Sequence, residues 1–102
     1  MVIMSGMLDL AKVAQISTEV AKANFGSQNV VRVESEPTSD SEGQEALNLL
    51  IVIAPGVVET VSGDAILDTL VQIIDRLQKA GDDRFPIIEY ATEEELADID
   101  SP

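Results

Sequence analysis

The sequence predicts an α+β domain: elements in the order α-β-β-α-β-α, forming a three-stranded mixed sheet with two main helices on one face. Three observations predict it. Residues 46–54 are apolar on both strand faces, residues 64–80 repeat apolar side chains at helical spacing, and Pro or Gly punctuates the joints between segments. At 102 residues the chain forms a single domain.

Taken in order, residues 1–6 are expected as a flexible N-terminus. Met1, Met4 and Met7 leave the translation start open. A first helix is predicted over 7–24, with Ser5 able to cap it and a thin, Ala-rich stripe through Leu10, Val13, Ala14, Val20 and Ala21. Asn24 and Gly26 tolerate positive φ and suit its end. Residues 30–35 alternate from Val31 onward and read as a half-buried strand. Glu36 to Glu45 is polar, contains Pro37 and Gly43, and is expected as a mobile acidic loop between antiparallel strands.

Residues 46–54 form the central strand, with Leu47, Leu49, Ile51 and Ile53 on one face and Leu50, Val52 and Ala54 on the other. Pro55-Gly56 stops it. The helix at 64–80 carries Ile66, Leu67, Leu70, Val71, Ile73, Ile74 and Leu77 on one broad face. Ser62 or Gly63 caps its start, Arg76 and Lys79 suit its last turns, and Gly81 suits the C′ position. Pro86 to Ala91 makes the third strand, parallel to the second because a helix joins them through a right-handed crossover. Thr92-Glu93-Glu94-Glu95 then has the capping-box pattern of a short helix reaching about Ile99.

Composition narrows the functions available. The chain has no Cys and no His, which excludes disulfides, thiolate chemistry and metal sites built on those residues. Phe25, Phe85 and Tyr90 are its aromatics, too few for base stacking. The start lacks the basic residues of a secretory signal, and the longest wholly apolar run, Leu49–Ala54, is far short of a membrane span. A cytoplasmic protein is expected. The net charge is −13, of which residues 82–102 hold −7. Such a surface repels phosphate backbones and anionic lipid, so neither nucleic acid nor membrane is an expected partner, while a basic protein is attracted.

No catalytic constellation emerges. Ser62-Gly63-Asp64 pairs a hydroxyl with a carboxylate, but helix capping explains it. Asp82-Asp83, residues 93–95 and the acids Asp40, Glu42 and Glu45 could gather a divalent cation, yet none has EF-hand spacing, and Asp82-Asp83 suits a turn. Phosphate-cradling glycine motifs are missing. The element order is similar to one class of KH-like RNA-binding folds, without their G-x-x-G loop or a basic face. Arg84, Phe85, Tyr90, Glu93 and Glu94 are the candidate partner-binding residues: an arginine and an aromatic ahead of a strand, with acids after it. Packing of Phe85 on the preceding helix, with Arg84 offsetting Asp82 or Asp83, is the structural alternative.

The expected function is a small, non-enzymatic interaction or regulatory protein without a cofactor, antitoxin-like or inhibitor-like in size and charge, that binds a basic partner. The alternative is a carboxylate-based divalent-metal protein or enzyme subunit. A homodimer, or a hetero-complex, is expected as well. Two helices on one face would leave Leu50 and Val52, with Val30 or Ile88, as an apolar strip on the other.

Overall fold

The structure, a computed structural model, describes residues 8–100. Within it run α1 (Leu10–Phe25), β1 (Val30–Ser39), β2 (Glu45–Ile53), a single helical turn α2 (Val57–Thr60), α3 (Gly63–Lys79), β3 (Phe85–Thr92) and α4 (Glu93–Asp100). The α+β order of the sequence reading is present, with α2 added between β2 and α3.

The helix α1 starts at Leu10, later than expected. Ser5 lies outside the described residues, and Asp9 is the cap: its Oδ1 accepts from Lys12 N at 2.8 Å. Gly26 ends the helix at φ 96°, where its N–H donates to Lys22 O at 2.9 Å. A Cβ there would sit 3.3 Å from Asn29 Nδ2, so both conformation and space favour glycine. Ser62 Oγ caps α3 by accepting from Ala65 N, and Thr92 and Glu95 form the reciprocal box that opens α4.

The sheet order is β1-β2-β3, with β1 antiparallel and β3 parallel to the central strand. The Glu36–Glu45 segment differs from its expectation. Glu36 to Ser39 continue β1 and pair with Glu45 to Asn48, so the connection shrinks to Asp40–Gln44. Ladder hydrogen bonds join backbones and need no apolar side chain, which is why composition did not show the extension. Asp40 fastens the turn, its Oδ1 accepting from the N–H groups of Glu42 and Gln44, each at 2.9 Å.

α1 and α3 cover one face. Leu47 and Leu49 pack there with Val13, Ile16, Val20, Ile73 and Leu77; Ile51 and Ile53 pack with Ala21, Phe25, Val30 and Val57. The helices are joined by Arg76 to Glu19 at 2.8 Å and Asn24 Nδ2 to Gln72 Oε1 at 3.1 Å.

The opposite face differs from the apolar strip anticipated there. Val30 pairs with Ile53 and Ile88 with Leu49, so both belong to the helix-covered face. A bulge at Val31 resets β1, and the register then places Arg32, Val52 and Ala91 in one row and Glu34, Leu50 and Glu89 in the next. Val52 is fully buried. Arg32 reaches across its row to Glu93 (Nη1–Oε1 2.7 Å) and back to Glu34 (Nε–Oε2 2.6 Å), a bridge that spans the strand carrying Val52. Leu50, in the next row, stays half-buried between Glu34 and Glu89.

Candidate functional site

The apolar surface that the fold leaves open lies at the third strand. β3 is an edge strand, paired on one side only. Above it, α3 turns Thr69, Ile73 and Leu77 into the core. The broad apolar face read from the sequence is wider than the layer beneath can cover. Leu67 and Val71 are 57% and 54% exposed, and Ile66 is exposed as well. On the strand, Phe85 (56%) and Ile87 are exposed from the face away from the helices. Of the six large exposed apolar residues among those described, five sit at this edge, and the sixth, Val31, is on the distant β1 bulge.

Between strand and helix runs a groove of about 400 Å³, bounded by Gly63, Leu67 and Leu70 above and Phe85 to Ile88 below. Ile66 and Tyr90 line it too, and both also line an adjoining cavity of about 290 Å³ among Phe25, Ile53, Val57 and Val61, with Glu95 at its mouth. Tyr90 stands edge-on to Phe25 with ring centres 5.8 Å apart. Its hydroxyl is buried without a hydrogen-bond partner among the described residues. Thr69 lies on that side, but its hydroxyl already donates to Ala65 O. Burial raises the Tyr90 phenol above its usual value, so it stays protonated as a donor at neutral pH.

The candidate residues read from the sequence separate into three roles. Phe85 and Tyr90 belong to the groove. Glu93 is ion-paired with Arg32, while Glu94 is exposed one residue further along α4. Arg84 faces inward: Nη2 donates to Asp82 Oδ2 at 2.7 Å and Leu8 O at 2.9 Å, and Nε donates to Asp82 Oδ1 at 3.0 Å. Asp82, expected in a turn, is 0% exposed and is offset by Arg84 as the structural alternative had it, and it also accepts from Leu8 N and Arg84 N. Burial by itself would raise its carboxyl, but the Arg84 side chain and the two backbone donors outweigh that and hold it below the ordinary range. This pair ties the chain entering α1 to the start of β3.

Ile66, Leu67 and Val71 were placed in the core by periodicity and are the residues the sequence reading missed. Asp64 and Asp68 on α3 and Glu89 on β3 are exposed, and none forms an ion pair with a described residue. Among the described residues no three carboxylates converge as a metal site, and no helix is long and apolar enough to cross a membrane. No family model, curated protein or solved structure matches this chain.

Proposed function

We propose that this chain is a non-catalytic protein–protein interaction module, of a regulatory or inhibitory kind, that docks a basic partner on the edge formed by β3 and α3. The observation that carries it is the gathering of Ile66, Leu67, Val71, Phe85 and Ile87 at one edge, with the exposed Glu89 carboxylate beside Ile87 in no ion pair with a described residue. Clustered exposed apolar residues with a polar rim are the composition of an interface, whereas singly scattered ones are ordinary surface. The −13 net charge selects partners of opposite sign and speeds their encounter.

The test is capture from the native host's lysate by the immobilised chain and by a Leu67→Asp/Val71→Asp variant. A single stoichiometric basic protein held by the wild type, released by salt and missing from the variant supports the reading. Equal capture by both chains, or no captured protein, contradicts it.

A further inference from the structure

Resting on that reading, we propose how the edge is filled: an extended segment of the partner joins the sheet beside β3 as a fourth strand, alternating apolar residues with Lys or Arg. The widths of the two layers carry the argument. Packed helices lie about 8–10 Å apart, and strands about 4.8 Å apart. Two helices side by side therefore roof about four strands, and here they roof three. α1 is matched to the β1 side of the sheet, so the deficit falls beneath α3, beside the open edge of β3. The groove occupies that place, with Leu67 and Leu70 as its ceiling and the β3 edge as its wall.

An added strand presents alternate side chains to the two faces of the sheet. Those facing upward meet Leu67 and Leu70, which calls for apolar residues. Those facing downward lie beside Ile87 and Glu89, which suits Lys or Arg: the stem covers the isoleucine and the charge reaches the carboxylate. The nearby cation, Arg84, is held by Asp82 and does not oppose this pairing. Pro86 removes one N–H from β3 and Glu95 already accepts from Thr92 N, leaving Ile87 to Ala91 for the new ladder. The 290 Å³ cavity shares Ile66 and Tyr90 with the groove, and its apolar lining suits one bulky apolar side chain of the segment.

A second copy of this chain fits less well. Pairing β3 with its own equivalent at strand spacing would bring each overhanging α3 over the other's strand, into space one helix already fills. It would also join two surfaces of the same charge sign.

The probe is a capped octapeptide of alternating Lys and Val, titrated calorimetrically into the ¹⁵N-labelled chain, with a control of the same sequence N-methylated at every residue. Expected are binding of the alternating peptide, amide protection within Ile87–Ala91, and about tenfold or greater weakening both by N-methylation and by Leu67→Asp. Equal binding of the methylated peptide, unchanged affinity of the variant, or protection elsewhere overturns strand addition and leaves only charge attraction. Failure of the peptide to bind, while the host partner is still captured through Leu67 and Val71, overturns this mode but not the reading beneath it. A dimer in sedimentation equilibrium that Leu67→Asp dissociates overturns it in favour of a second copy.

Discussion

Removing the Asp82 carboxylate strips Arg84 and the Leu8 and Arg84 N–H groups of their acceptor in a fully buried place. Breaking a buried pair from one side costs about 3–5 kcal/mol, so Asp82→Ala is expected to lose about 3 kcal/mol or more in denaturant unfolding. Its folded pKa is lowered, so its stabilisation is complete above the unfolded value near 4 and is lost as acid protonates it below that. Wild-type stability should therefore fall below about pH 4, and the variant should show a shallower fall there. An unchanged acid profile in the variant would contradict this assignment. Ser17 is the opposite case. Its hydroxyl is buried inside α1 without a hydrogen-bond partner among the described residues. Ser17→Ala removes an unpaired polar atom and supplies the better helix former, so unfolding should show a gain of up to about 1 kcal/mol.

At the scale of elements, the hairpin turn at Asp40–Gln44 rests on Gly43, which holds φ 81°. A side chain there strains the backbone although nothing lies near it, so Gly43→Ala should lower the unfolding free energy by about 1 kcal/mol. The same turn shows where sequence reading fails. Polar residues marked Glu36–Ser39 as loop, yet their backbones pair with Glu45–Asn48 because a ladder needs only N–H and C=O groups. Apolar alternation revealed β2, helical spacing revealed α3, and the Thr92–Glu95 box revealed the start of α4, since each pattern is local. The exposed edge is not local. Whether Leu67 is core or surface depends on how many strands lie beneath α3, and a helical period cannot count strands. Phe85 and Tyr90 were legible as aromatics beside an arginine. The internal use of that arginine followed from Asp82, two residues before it, once burial was known.

At the scale of the molecule, the basic residues stand apart from the docking edge. Lys12 and Lys22 lie on α1, Arg32 bridges to Glu93, Arg76 and Lys79 are paired on α3, and Arg84 is enclosed. The edge is left with uncompensated carboxylates over apolar walls. Partner association should therefore be fast at low salt and slow as ionic strength rises, since exposed charges are screened within about 8–10 Å near physiological salt. The apolar walls should set the dissociation rate instead, so Leu67→Asp should accelerate release more than salt does. The central claim is that a partner occupies the β3–α3 edge. Its most direct measurement is residue-resolved amide exchange on the chain, alone and saturated with the captured host partner. New protection is expected to concentrate in Ile87–Ala91, with little change in α1 or β1. Protection confined to α1 or to the outer edge of β1, with β3 exchanging as in the isolated chain, would contradict it.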